Sequence, residues 1–314
     1  MTSRLASGEA QYIDLLSSVR DEGVEKSDRT GTGTRSLFGD QMKIDLRQGI
    51  PLLTTKKVFT RAIIHELIWM IKGDHNLQYL AQNNVNIWNE WPFVSYLERV
   101  GKDIPPQGSE EWAGEMKAYL EQICNDDAFA EEFGDLGPIY GKQWRHVDEP
   151  SSGTYVDQLA DAQDTLRTNP DSRRIIVNSW NVSELNEMNR SGLPPCHALY
   201  QFYTANGEMD LKLYQRSADM FLGVPFNMVQ YALLGSMMAQ STGHKARYFT
   251  HSFGDTHIYN THLAQVDEQL SREPRDVPQL RLNPDVTNLF DFTAKDIAIE
   301  GYDPHPAIKG QVAI

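Results

Sequence analysis

Cys196 stands in the run Leu193-Pro194-Pro195-Cys196-His197-Ala198-Leu199-Tyr200. The two prolines stiffen the approach to it, and an alternating strand pattern leads away. A thiol held at a rigid strand start is either a nucleophile or a small buried hydrophobe. Nucleophilic use requires a nearby cation to favour the thiolate, and Arg216 in Gln215-Arg216-Ser217 can provide one. The other candidates are polar groups suited to an anion, a sugar and a planar ring. Arg29, in the Gly/Thr-rich loop 28–34, could join Arg173, Arg174, Arg216 and Ser217 around phosphate oxygens. An arginine pair at a strand start is otherwise a solvated edge. His257 and Tyr259 are two apart, on one face if extended, and could bond a sugar hydroxyl. Asn227 is either a helix N-cap or an amide that reads a base edge.

Glu66 sits among Ile63, Ile64, Leu67 and Ile68. Buried, it could do acid–base work. Pattern alone favours a partly exposed helix residue, because His65 and Lys72 lie close by. Trp88 and Trp91 either stack on a planar ligand or fill core. His251, His257 and His262 lack carboxylate and cysteine companions at metal-ligand spacings, so no metal is expected. The Gly31-Thr32-Gly33 stretch lacks a phosphate-loop or dinucleotide fingerprint.

Positioning these groups falls to a chain of 314 residues, 40% hydrophobic, with formal net charge −14. That charge speaks against a basic nucleic-acid surface. No apolar run reaches the roughly 20 residues of a membrane helix. The N-terminal residues have no hydrophobic signal core, so the expected compartment is the cytosol. The only other cysteine, Cys124, reads as a structural or exposed thiol, and no disulfide is expected. Periodicity predicts helices over 9–23, 59–72, 76–83, 155–168, 227–241 and 260–270. Strands are predicted over 36–46, 174–180, 198–204 and 208–215, the last two joined at Ala205-Asn206-Gly207. Strands and helices mix without strict alternation, which gives an α+β class. The acidic stretch 92–134, broken at Pro105-Pro106, reads as an inserted helical subdomain of a single 1–314 domain.

The ordered segments DRTGTGT (28–34), PLLTTKK (51–57), HEL (65–67), NVNIW (84–88) and DLGPIYGKQWR (135–145) resemble the folate-dependent thymidylate synthase family. So do SRRII (172–176), PPCHA (194–198), QRSAD (215–219), GVPFN (223–227), GDTHIY (254–259), IEGYDPHP (299–306) and VAI (312–314). The resemblance covers nearly the whole chain except 92–134. It implies a large twisted mixed β-sheet with flanking helices, one sheet face forming a homodimer interface. It further implies reductive methylation of dUMP to dTMP, with 5,10-methylene-tetrahydrofolate as cosubstrate, no metal and no obligatory nucleic acid.

By the same resemblance Cys196 is the nucleophile, with Arg216, Glu66 and Tyr140 as further catalytic residues. The phosphate would be held by Arg29, Arg216 and Ser217, joined by Arg173 and Arg174 donated from the partner subunit. Asn227 would read the uracil, and His257 and Tyr259 would hold the deoxyribose. Asp219, Ile87, Trp88, Leu222, Gly223 and Phe226 would form the folate site, closed by Val312 and Ala313. Met70 and Asn89 stand where the family usually has Phe and Asp, and Thr60 and Ala218 also vary. The rival readings are a deoxyuridylate hydroxymethylase, which adds water instead of hydride, and a non-catalytic nucleotide- or RNA-binding protein.

Overall fold

The computed structural model describes residues 6–28, 31–149, 151–191 and 194–311. Three expected site residues, Arg29, Val312 and Ala313, lie outside the described residues. The chain divides into two compact units: 1–63 with 161–177 and 196–314, and 64–160 with 178–195.

The first unit is built on a mixed sheet. Its strands are Val24–Lys26 (β1), Thr34–Phe38 (β2), Gln41–Asp45 (β3), Ile176–Asn178 (β4), His197–Ala205 (β5), Glu208–Asp219 (β6) and Lys245–Tyr259 (β7). Their order is β1-β2-β7-β6-β5-β4, and β3 pairs with another stretch of β7. The α+β expectation therefore holds, with a large mixed sheet and helices. β5 and β6 form an antiparallel hairpin. Its turn places Asn206 at φ 55° and Gly207 at φ 74°, the left-handed pair that a two-residue hairpin turn needs. β6 and β7 pair in parallel, which requires a crossover. Helix Gly223–Ser241 supplies it and packs against both strands. Apolar residues lie all round this helix, as befits an element buried over most of its length.

Alternation along β5 buries Tyr200 and Phe202 while Leu199 and Tyr203 are exposed. Leu199 pairs with Tyr214 of β6, which is also exposed. One sheet face thus carries large apolar side chains open to solvent, a feature that monomeric proteins keep small.

The N-terminal helix Gly8–Glu22 is tied down by a buried carboxylate. Glu9 accepts from the backbone N–H groups of Thr54 (2.8 Å) and Thr55 (2.7 Å) and from the Thr54 hydroxyl (2.6 Å). Glu9→Ala leaves two buried amides without an acceptor. Urea denaturation is expected to show a loss of about 3 kcal/mol, since bonds to charged groups and buried orphan donors each count for ~1.5–3 kcal/mol. A loss within error would show that the clasp is dispensable.

In the second unit, helices Glu90–Arg99, Glu110–Asn125 and Asp127–Phe133 surround an aromatic cluster of Phe93, Tyr96, Trp112, Tyr119, Phe129 and Phe133. Ser109 and Asp126 cap the second and third of these helices. Cys124 is half-buried, and burial raises its pKa.

Several expected boundaries shift. The segment from Tyr155 begins as a short strand, Thr154–Val156, and its helix runs only from Gln158 to Thr168. The strand expected over 174–180 shrinks to Ile176–Asn178. The run 36–46 is two strands split at Gly39, whose φ of 95° turns the chain. The 260–270 helix opens with a 3-10 turn, Asn260–His262.

Candidate active site

Cys196 immediately precedes β5 and is half-buried. The Arg216 N–H donates to the Cys196 carbonyl at 2.9 Å, so the two residues are cross-strand neighbours. Burial raises the thiol pKa, and the Arg216 charge opposes that rise. The strand pairing thus supplies the cation that the sequence could only nominate. Replacing Arg216 with Met removes the charge that favours the thiolate. In a Cys124→Ser background, the pH midpoint for alkylation of Cys196 by iodoacetamide is expected to move upward. An unmoved midpoint would refute the pairing.

Asn227 is not an N-cap. The helix begins earlier, at Gly223, with Leu222 at its cap position, so Asn227 lies inside the helix. Its Oδ1 accepts from Gln215 Nε2 at 3.0 Å. The same Nε2 donates to the Ser217 carbonyl at 3.0 Å, and Gln215 Oε1 meets His251 Nε2 at 2.8 Å. Gln215 and His251 are both buried, and burial holds His251 well below the usual imidazole range. His197, also buried, is pushed down to about 4 by burial, opposed by its hydrogen bond to Asn227. Sequence reasoning did not single out Gln215 or His197, and it weighed His251 only as a metal ligand. The available signal was the strand alternation that turns Gln215 and His251 to one face.

Further along β7, His257 and Tyr259 lie on one face of an extended strand with rings 5.2 Å apart, as the spacing predicted. His257 Nδ1 is 2.9 Å from Asp255, whose carboxyl is held far below the usual range chiefly by that bond. This fixes the ring's orientation. Asp219 ends β6 and accepts from the Phe221 and Leu222 N–H groups (2.9 and 3.1 Å), which shapes the loop into Gly223. Leu222, Gly223 and Phe226 are half-buried beside it. Lys56 is buried against Phe221: its Nζ donates to the Phe221 carbonyl and lies 3.6 Å from the ring centroid. Burial brings this lysine down to about 7.

Arg173 and Arg174 precede β4 and are exposed. No hydrogen bond or ion pair among the described residues ties their guanidinium groups to the rest of the site.

The second unit holds Glu66, Ile87, Trp88 and Tyr140. Here the structure reverses the exposure expected for Glu66: it is 6% exposed, and its Oε1 accepts from Trp88 Nε1 at 2.7 Å. Trp88 is packed by Trp91 and Tyr140, with ring centroids 5.6 and 6.0 Å away. Ile87 is exposed at 37%. Asn89 is buried and donates to Asn86 Oδ1 at 3.1 Å. Among the described residues no cluster of His, Cys, Asp and Glu could hold a metal, and no helix is long and apolar enough to cross a membrane.

The fold and site define an α+β protein built on a large mixed sheet, with a thiol at the head of one strand and an arginine paired across from it. The chain belongs to the thymidylate synthase family, whose family model, described as Thymidylate synthase, matches residues 10–314. Membership makes it a methyltransferase of nucleotide biosynthesis, in a family whose cosubstrate is methylene-tetrahydrofolate.

Proposed function

We propose that this chain is a thymidylate synthase in the strict sense, converting dUMP to dTMP and methylene-tetrahydrofolate to dihydrofolate. The observation that carries this reading is the Cys196–Arg216 pairing in a chain matched by the family over residues 10–314. Carbon 5 of uracil is a poor nucleophile. Addition of the Cys196 thiolate at carbon 6 makes the ring an enolate, so carbon 5 can attack. Arg216 and Ser217, with Arg29, would hold the phosphate, and His257 and Tyr259 the deoxyribose. Asn227 would stabilise charge on the ring carbonyl, aided by water that Glu66 organises. Tyr140 would assist removal of the carbon 5 proton, and the sulfur–carbon 6 bond would break at the end, returning the Cys196 thiolate and freeing the nucleotide. The folate supplies one carbon and then a hydride when bound, against Asp219, Ile87, Trp88, Leu222, Gly223 and Phe226. Val312 and Ala313 would close over it.

A homodimer belongs to the same proposal. The exposed apolar side chains Leu199, Tyr203 and Tyr214 on one sheet face suit a second copy. The exposed Arg173 and Arg174 suit donation to a partner's phosphate site. Two cysteines outside any disulfide, and these substrates, are in keeping with the cytosol.

Hydride rather than water should finish the reaction. Trp88 is pinned by Glu66 and flanked by two aromatic rings, a wall suited to excluding water. The test is a product assay: mass spectrometry of the nucleotide alongside the absorbance of dihydrofolate. dTMP and dihydrofolate in equal amounts are expected. Hydroxymethyl-dUMP without dihydrofolate would establish the hydroxymethylase reading instead, the outcome to which the Asn at position 89 would then be relevant.

A further inference from the structure

A cavity of about 260 Å³ lies between the crossover helix, the 3-10 turn Leu46–Gln48 with the loop after it, and the strand Gln279–Leu282. All three belong to the first unit. The volume is far more than one water needs and just under the ~300 Å³ at which small-molecule sites begin. None of the residues lining it takes part in the proposed reaction. Leu46, Ile50, Leu280 and Leu282 give it apolar walls. Its polar side chains are Ser236, Gln240 and Gln279, and no charged residue lines it.

The internal hydrogen bonds of these three residues fix what they can offer a ligand. Gln240 Nε2 donates to the Asn283 and Val286 carbonyls, both at 2.8 Å. Gln279 Nε2 donates to the Gln48 and Val277 carbonyls, at 3.1 and 3.0 Å. A backbone carbonyl only accepts, so neither amide can be turned over, and both hydrogens of each NH2 are committed. The Ser236 hydroxyl donates to the Ala232 carbonyl at 2.8 Å. The loop backbone is committed as well: the Gly49 N–H donates to the Leu46 carbonyl and the Ile50 N–H to the Pro278 carbonyl. The polar side chains at the cavity therefore have acceptors alone to give: Gln240 Oε1, Gln279 Oε1 and Ser236 Oγ. Ser236 and Gln240 are four apart and share one face of the helix.

Acceptors without spare donors suit a ligand group that only donates. An alcohol or an amide brings acceptor oxygens that would find no partner among these side chains. A protonated primary amine has three N–H donors and no acceptor, which matches the three oxygens in number. The net charge of −14 favours a cation over a neutral or anionic ligand. The apolar walls call for an aliphatic chain, and the volume limits it to a short one.

We propose that this cavity binds a small primary alkylammonium ion, with its N–H groups on Ser236, Gln240 and Gln279 and its chain against Ile50 and the leucines. The site is separate from the reaction and does not depend on how Cys196 is used.

The test is a titration of the full-length protein, methyl-labelled at Ile and Leu, with n-butylammonium chloride followed by NMR. Saturable shifts are expected at the Ile50, Leu46, Leu280 and Leu282 methyls, with Kd on the order of 1 mM. Two probes separate the causes. Butyltrimethylammonium keeps the charge and the chain but has no N–H, and 1-butanol keeps the chain without the charge. Each is expected to bind at least about tenfold more weakly, since bonds to a charged donor are among the stronger ones. Equal binding of the trimethylated ion would reduce the effect to general attraction by an acidic protein. Equal binding of 1-butanol would reduce it to apolar burial. Either result overturns the proposal, as does the lack of saturable shifts at these methyls. Gln279→Leu and Ser236→Ala should each weaken butylammonium about fivefold, with the fold intact by circular dichroism. Unchanged affinity in both folded variants would also overturn it. Should a variant fail to fold, the three-probe comparison on the native protein decides.

Discussion

Cys196→Ser is expected to lower turnover by about 10⁴-fold or more, the scale on which loss of a nucleophile acts. The hydroxyl is nearly isosteric with the thiol but far more basic, and Arg216 cannot ionise it near neutral pH. Binding should survive, because the phosphate and base contacts proposed here do not use the thiol. Isothermal titration with dUMP beside a steady-state assay separates the two effects. Turnover within tenfold of the native protein would remove Cys196 from the chemistry. Loss of turnover together with loss of binding would mean that the change disturbs the strand start rather than the reaction. The second outcome is the less expected, since Cys196 contributes its backbone carbonyl to Arg216 and serine keeps that bond.

The second large effect concerns Glu66. Glu66→Gln keeps an oxygen for the Trp88 indole, so the 2.7 Å bond and the burial of both residues can persist. What is lost is a group able to gain and release a proton. A fall in kcat of about 10²–10⁴-fold is expected, the range for general acid–base groups, with thermal stability and dUMP affinity little changed. Glu66→Leu provides the contrast. It leaves the buried indole N–H without its acceptor and should destabilise the fold by about 1–3 kcal/mol in addition to removing activity. Native-like kcat in Glu66→Gln would show that the carboxylate serves only to hold Trp88.

The legible part of this molecule was its chemistry-bearing runs and its long elements. Alternation read correctly along β5 and β6, and Asn206-Gly207 marked their turn because few other pairs accept left-handed backbone at both positions. The apolar helix after Pro225 was legible for the same kind of reason, although its start was not. The helix predicted over 227–241 leaves Gly223 and Pro225 outside it, yet proline fits the first turn of a helix, where its missing N–H costs nothing. That one error made Asn227 look like a cap. Glu66 was misread because a carboxylate amid apolar residues carries no local sign of its partner. Trp88 lies 22 positions away, and only folding puts the indole against it.

The sequence by itself determined which reactive groups exist and the local backbone that presents them: a thiol behind two prolines, an arginine beside a serine, a His and a Tyr on one strand face. Those properties depend on neighbours within a few residues. Tertiary structure decided which groups meet. Strand pairing set Arg216 beside Cys196. The parallel β6–β7 register, with the helix crossing between them, set His251 against Gln215 and Gln215 against Asn227, the first two being 36 positions apart. Hydrogen bonds and charge act over a few ångströms, whereas sequence distance does not measure space. The cation beside the thiol and the orientation of the Asn227 amide are therefore properties of the folded sheet.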